Sequence, residues 1–129
     1  NQTLNVQLWD MSGDEKYGAT WPALAKDADG VVLVYSCSNK DQAKLIERYA
    51  KLLAGDIDQT RVLVVAHHVD GEGAHRPKLP ANIADAKKIK IMSEEDFAGF
   101  RGVFSDFLAK VKLAKGEREQ EALSKIVKT

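Results

Sequence analysis

Two runs in this chain combine side chains that can bind ligands, and the first lies near its start. In WDMSGDEKY, Asp10 ends an alternating apolar stretch and Gly13 follows three positions later. A carboxylate is a preferred oxygen ligand of Mg²⁺, and a glycine lets the backbone approach a phosphate closely. This D-x-x-G spacing is typical of a nucleotide switch, but it is short, and an ordinary turn after a strand is the alternative. No GxxxxGK[ST] phosphate loop occurs in the chain.

The second run places polar side chains directly after a long apolar stretch. His67, His68 and Asp70 follow RVLVVA, and His75 lies in the Gly- and Pro-rich run beyond them. Zinc is one ligand that such side chains could share. Adjacent residues on a strand point to opposite faces, however, so His67 and His68 cannot easily reach the same ion. The loop also fits no standard zinc-ligand spacing, which disfavours a zinc site.

Hydrophobic periodicity predicts the elements that position these residues. Alternating or continuous apolar runs predict four strands, and apolar residues at helical spacing predict two helices. This alternation of strands and helices implies an α/β, doubly wound, mostly parallel sheet with helices on both faces. In chain order, the predicted elements are a strand over Leu4–Leu8, a helix without assigned bounds, a strand over Gly30–Ser36, a helix over Asn39–Leu53, a strand over Arg61–His68, a loop, a strand over Lys88–Met92 and a helix over Phe97–Val111.

Composition limits the classes of function. The chain has 129 residues, enough for one domain, and 19 Lys and Arg balance 19 Asp and Glu. The zero net charge argues against a uniformly basic nucleic-acid face, and no apolar run is long enough to span a membrane. Cys37 is the only cysteine, so no disulfide can form within the chain, which suits a reducing compartment. We expect one domain over residues 1–114 and a tail or helical extension over 115–129.

Four motifs, in order, resemble the Ras and Rab superfamily of small GTPases. LWDMSGDEKY is similar to the third strand and switch II, DADGVVLVYS to the fourth strand, RVLVVAHHVD to the strand ending in Asn-Lys-x-Asp, and IKIMSEED to the short Ser-Ala motif. The resemblance covers about Leu4 to Val111, and WPALAKDADGVV together with AHH is most similar to the Rab-like protein 5 subfamily. It implies a P-loop small-GTPase fold. It also implies that the N-terminal strand, phosphate loop and switch I precede this segment, which alone would not fold stably.

The resemblance assigns roles at the phosphate end of bound GTP or GDP. It implies that Asp10 holds Mg²⁺ through a water molecule and that the Gly13 amide contacts the γ-phosphate. Asp14 stands where typical members carry the glutamine that orients the attacking water. A carboxylate cannot donate a hydrogen bond there and would repel the γ-phosphate, so we expect slow or absent intrinsic hydrolysis. The alternative is that Asp14 points to solvent.

The resemblance also assigns roles at the base end of the nucleotide. His67, His68 and Asp70 replace Asn-Lys-x-Asp. Asp70 keeps the position that accepts hydrogen bonds from guanine, and His68 could stack on the base as the lysine stem does. His67 lacks the amide of the usual asparagine, so we expect weakened guanine selectivity. Ser93 is expected to support the base through its backbone.

The expected function is that of an atypical Rab-like GTPase, a GTP-dependent binding subunit of the intraflagellar transport B complex. The resemblance implies two coiled-coil subunits, intraflagellar transport proteins 74 and 81, as partners, and a location in the cilium or flagellum, the basal body and the cytoplasm. Tyr17 and Trp21, in and after switch II, are candidate partner-binding residues, with packing on the sheet or next helix as the alternative. A cycling but slow GTPase and a nucleotide-free scaffold are the other hypotheses. We expect neither nucleic-acid binding nor membrane insertion.

Overall fold

Three parallel strands form the sheet in the part of the chain that the structure describes. This computed structural model describes residues 4–11, 15–53, 55, 57–67, 75–91 and 93–127. Strand β1 spans Val31–Ser36, β2 spans Val62–His67 and β3 spans Lys87–Ile91, in the spatial order β1-β2-β3. Both neighbouring pairs are parallel, so all three strands end on the same side of the sheet. Three of the four predicted strands are thereby confirmed.

Helices and short 3₁₀ segments connect these strands, and the three predicted helices are present. None of the described helices is long and apolar enough to cross a membrane. In chain order, the helical segments are a 3₁₀ segment over Glu15–Thr20, helix α1 over Trp21–Asp27, helix α2 over Lys40–Leu53, a 3₁₀ turn over Gln59–Arg61, a 3₁₀ turn over Ala81–Ile83 and helix α3 over Glu94–Val127.

Helices α2 and α3 cover opposite faces of the sheet. On one face, Val62 and Val64 of β2 belong to the core that includes the buried side of α2. On the other face, Leu63 and Val65 pack with Phe107 of α3. Alternate side chains of β2 therefore enter two separate cores, as a parallel strand covered on both faces requires. This arrangement confirms the predicted doubly wound α/β class.

Helix α2 is fixed by a side-chain cap at its start and by an apolar face along its length. The Asn39 Oδ1 atom accepts hydrogen bonds from the N–H groups of Asp41, at 2.9 Å, and Gln42, at 3.2 Å. These groups lie in the first turn, where the helix itself offers no acceptor. The buried residues of α2 are Ala43, Ile46, Tyr49, Ala50 and Leu53.

Helix α3 crosses the sheet close to the start of β1. A Cβ atom on Gly30 would lie 2.8 Å from Val111 Cγ2 and 3.2 Å from Phe107 Cζ, so any side chain at this position would force its neighbours on α3 to shift. The helix then continues past Gly116 to Val127 without a break. The division between a domain over residues 1–114 and an extension over 115–129 stays a prediction.

The two outer strands of the described sheet expose different side chains. Strand β3 exposes Lys88 and Lys90, and charged side chains on an outer strand oppose pairing with another chain. Strand β1 instead exposes 57% of Val34 and 36% of Val32. The α3 side of β1 is therefore open in the described part of the chain.

The strand predicted over Leu4–Leu8 is wrong. Residues 4–11 have no regular secondary structure, and Val6, Leu8 and Trp9 are 49%, 74% and 71% exposed. Alternation marks a segment that can bury one face, but a strand forms only where a neighbouring strand supplies backbone hydrogen bonds. Among the described residues, no strand pairs with this segment.

Candidate functional site

The carboxyl end of the sheet is the place where the described candidate residues converge. Ser36, His67 and Ile91 are register partners and are the last residues of β1, β2 and β3. In open parallel sheets, ligands bind beyond the carboxyl ends of the strands. Ser93 lies two residues after the end of β3. The structure therefore brings His67 to the same end of the sheet as Ser93.

His67 is half-buried at the end of β2 and is held by its backbone. Its carbonyl accepts a hydrogen bond from the Cys37 N–H at 2.9 Å, which extends the β1–β2 pairing by one residue. The ring is therefore attached to a fixed strand end rather than to a loop. His68 and Asp70, the other two residues of the predicted base motif, lie outside the described residues, and their roles stay predictions.

Ser93 forms the start of helix α3. Its Oγ atom accepts a hydrogen bond from the Asp96 N–H at 3.2 Å, and its carbonyl accepts one from the Phe97 N–H at 3.1 Å. The side chain and the carbonyl are thus both used to begin the helix. The contact between a base and the Ser93 backbone stays a prediction.

Asp10 lies in the irregular segment of residues 4–11, and its side chain is exposed. Gly13 and Asp14 lie outside the described residues. Among the residues that are described, no three His, Cys, Asp or Glu side chains come together as a metal site. A Mg²⁺ ion bound with a nucleotide needs few protein ligands, because phosphate oxygens and water complete its shell. A single carboxylate such as Asp10 fits that requirement.

The two candidate partner-binding residues precede and begin helix α1. Tyr17 lies in the 3₁₀ segment, and the placement of its side chain is outside what the structure describes. Trp21 is half-buried and stacks on Tyr49 of α2, with ring centroids 4.4 Å apart and planes 8° from parallel. One face of the indole is therefore occupied within the molecule. Partner binding by Tyr17 and Trp21 stays a prediction.

Tyr35 and Cys37 are buried beneath the carboxyl end of the sheet, at 5% and 1% exposure. Burial raises the pKa of the Tyr35 phenol above its ordinary value of 10.0, the nearby Cys37 raises it further, and Arg76 acts in the opposite direction. Tyr35 is therefore a neutral core residue at neutral pH and not a candidate base.

Two side chains of α2 contact this region and were not singled out from the sequence. Gln42 Oε1 accepts a hydrogen bond from the Ser36 N–H at 2.7 Å, and Glu47 Oε1 accepts one from the Lys78 N–H at 2.7 Å. Contacts between a side chain and a distant backbone group leave no spacing signature in a sequence. Only the fold could have indicated them.

Comparison with known proteins decides the family. A sequence profile described as "Ras family" matches residues 1–113. The chain belongs to the Ras family. This membership, together with the parallel sheet and its flanking helices, confirms the predicted fold class. Ras-family proteins in general bind guanine nucleotide and Mg²⁺.

Similar individual proteins come from animals and an alga. The chain is 32% identical to the intraflagellar transport protein 22 homolog of Danio rerio over 129 residues, which covers 96% of this chain and 69% of that protein. It is 30% identical to the Homo sapiens homolog over 124 residues, covering 92% of this chain and 66% of that protein. Intraflagellar transport protein 22 of Chlamydomonas reinhardtii is 32% identical over 72 residues, covering 54% and 38%. The chain thus spans about two thirds of the length of these animal relatives.

Proposed function

We propose that the chain is part of an atypical Rab-like small GTPase that binds its partners in a GTP-dependent way within the intraflagellar transport B complex. The observation that carries the proposal is the 32% identity, over 96% of the chain, to an intraflagellar transport protein 22 homolog. The arrangement of the sheet adds support, because His67 and Ser93 lie at the end where parallel sheets bind ligands.

The phosphate end of the proposed site favours a slow switch over an efficient enzyme. Asp10 would hold Mg²⁺ through water, and the Gly13 amide would sense the γ-phosphate. An ionised Asp14 offers no hydrogen-bond donor to the γ-phosphate and cannot orient water as a glutamine does. We expect Asp14→Gln to raise single-turnover GTP hydrolysis by the full-length protein. Equal hydrolysis rates for the variant and the unaltered protein would show that Asp14 is not the cause of slow hydrolysis.

The base end supports weak selectivity for guanine. The donor and the acceptor of a neutral His67 ring lie on separate nitrogens that point in different directions, whereas the amide of an asparagine presents its donor and acceptor side by side. The replacement of the usual asparagine by His67 also favours the second candidate function, which is a scaffold that keeps the fold and binds no nucleotide. The two functions differ in one measurable property, which is whether the purified protein binds GTP or GDP.

The proposed partners are intraflagellar transport proteins 74 and 81, and the proposed locations are the cilium or flagellum, the basal body and the cytoplasm. Ordering of the switch segments by the γ-phosphate would couple nucleotide to partner binding. Helix α1 is well placed for such coupling, since it follows the D-x-x-G run and carries Trp21 at its first position.

The partner proposal is tested by measuring binding of the full-length protein to a complex of proteins 74 and 81. Loading with a non-hydrolysable GTP analogue should tighten binding about ten-fold relative to GDP, within the usual range of such couplings. Asp10→Asn should remove the difference, whereas Asp106→Asn, which deletes an exposed carboxylate on α3, should preserve it. Equal affinity with both nucleotides in the unaltered protein would contradict a GTP-dependent role.

A further inference from the structure

Four basic side chains form a single row along the exposed side of helix α2. They follow one another at intervals of four, four and three residues, which places them on one side of a helix. Every member is exposed, and the row lies opposite the buried side of α2. At a rise of about 1.5 Å per residue, the row is about 16 Å long. We call it the α2 basic row, and its members are Lys40, Lys44, Arg48 and Lys51.

Two acidic residues occur within this stretch of α2, so the four basic residues leave an excess of positive charge. Asp41 lies in the first turn, at one end of the row. The Glu47 Oε1 atom accepts a hydrogen bond from the Lys78 N–H at 2.7 Å, which turns this carboxylate towards the segment that contains Lys78. The whole chain has 19 basic and 19 acidic residues. The α2 basic row is therefore a local concentration of charge and not the result of a basic chain.

The spacing of the α2 basic row matches that of a second helix. In paired helices, charged residues that recur about once per turn form salt bridges along the edge of the interface. A partner helix with a carboxylate on each turn would present its charges at the same interval as the row. Leu52, one turn after Arg48, is 46% exposed and offers an apolar contact beside the charges.

A membrane or a nucleic acid fits the α2 basic row less well than an acidic helix does. A helix that lies on a membrane inserts its apolar side into the lipid. The apolar side of α2 packs in the core of the domain instead. Nucleic-acid binding is typical of domains with a strongly basic charge balance, whereas the net charge of this chain is zero.

We propose that the α2 basic row is a docking surface for an acidic helix of a coiled-coil partner. The row and the carboxylates of that helix would attract each other during association and fix the register of the two helices. The inference rests on the proposed function, because the coiled-coil subunits enter as partners only there. It adds the surface that they contact and the charge that they carry at this contact.

The test measures binding of the full-length protein to a complex of intraflagellar transport proteins 74 and 81, with a non-hydrolysable GTP analogue present. Lys44→Glu combined with Lys51→Glu reverses two charges of the row. Arg101→Glu combined with Lys110→Glu reverses two exposed charges on α3 and is the matched control. We expect affinity to fall about ten-fold for the row variant and less than about two-fold for the control, because reversal replaces attraction with repulsion.

Association kinetics and salt separate a charged docking surface from general damage. Most of the loss in the row variant should be slower association, and raising the ionic strength should weaken the unaltered protein more than the variant. Asp41→Asn should tighten binding about two-fold, a gain that damage to the fold would not produce. If the glutamate variant does not fold, Lys44→Gln combined with Lys51→Gln removes the same charges and should weaken binding about three-fold.

Three results would overturn the inference, and they can be distinguished from one another. Equal affinities of the row variant and the control for the complex would overturn the inference and leave the proposed function intact. The row variant could instead lose binding to phosphatidylcholine vesicles that contain phosphatidylserine while keeping its affinity for the complex, which would assign the row to a membrane. If the unaltered protein does not bind the complex, the proposed partners fail, and the inference fails with them.

Discussion

Replacement of Arg61 should strongly destabilise the fold, because its buried guanidinium ties together the starts of two strands. Arg61 is 6% exposed at the end of the 3₁₀ turn before β2. Its Nε atom donates to the Asp29 carbonyl at 2.7 Å, and its Nη2 atom donates to the Ala28 carbonyl at 3.0 Å. Both carbonyls belong to the turn between α1 and β1. Arg61→Met keeps most of the packing volume and removes both hydrogen bonds.

The expected loss follows from those two contacts. Hydrogen bonds to a charged donor contribute about 1.5–3 kcal/mol each to stability. Because water can reach a turn at the edge of the sheet and satisfy part of the lost bonding, we expect about 3 kcal/mol for Arg61→Met. Arg61→Lys keeps one donor group and should lose about half as much. A loss of about 3 kcal/mol is a large part of the stability of a typical domain, about 5–15 kcal/mol.

Urea unfolding of the full-length protein, followed by circular dichroism, measures these losses. The m value should stay constant across the variants, so that differences in midpoint report stability. Arg101→Met is the control, since Arg101 is exposed on α3 and its replacement should change stability by less than about 0.5 kcal/mol. If Arg61→Met were as stable as that control, the hydrogen bonds from Arg61 to the two carbonyls would not stabilise the fold.

Three further predictions concern α3, α2 and the buried tyrosine. Gly30→Ala should lower the free energy of unfolding by about 1–3 kcal/mol, because the added methyl group would lie 2.8 Å from Val111. Urea unfolding measures this loss. An unchanged urea midpoint would contradict the close approach of α3 to Gly30. Asn39→Ala should cost about 1 kcal/mol through the lost cap, whereas Asn39→Asp should retain the stability, in the same assay. Burial raises the pKa of the Tyr35 phenol above 10.0 in the folded protein. As the pH rises, the unfolded chain therefore loses the phenol proton at a lower pH than the folded protein does. The free energy of unfolding should accordingly fall as the pH rises from about 10 through the pKa of the folded protein. Tyr35→Phe should lose less stability between pH 8 and pH 11 than the unaltered protein does, and equal losses would show that the phenol is not buried.

Helices and strands were predictable where the sequence has both a hydrophobic pattern and residues that mark where the element begins. The strand over Val62–His67 is continuously apolar, and the turn residues before it mark its start. Helix α2 has an apolar face and a capping asparagine. Where the hydrophobic pattern, the capping residue and the turn residues agree in this way, a helix or strand can be predicted from the sequence alone.

Other parts depended on contacts that sequence periodicity does not encode. The alternation over Leu4–Leu8 predicts a strand, yet a strand also needs a paired neighbour, and the described sheet gives it none. Helix α1 was predicted only through the order of the elements and without bounds, although Pro22 in the first helical turn is a usable start signal.

The site was predictable only in part. His67 and Ser93 could be placed at one end of the sheet, because parallel strands end together. The two backbone hydrogen bonds that join Cys37 to His67 and His75 could not be predicted, because these residues are 30 and 38 positions away from Cys37 in the sequence. The acceptor role of Glu47 has the same origin, since Lys78 is 31 positions away.

Nucleotide content is the measurement that tests the central claim most directly. The full-length protein is purified, denatured and cleared, and the supernatant is analysed by ion-exchange chromatography. The account predicts that GTP or GDP is recovered, or that the protein binds added GTP in the presence of Mg²⁺. A supernatant without nucleotide, together with no binding at excess GTP and Mg²⁺, would contradict the switch and leave a scaffold that retains only the shape of a GTPase.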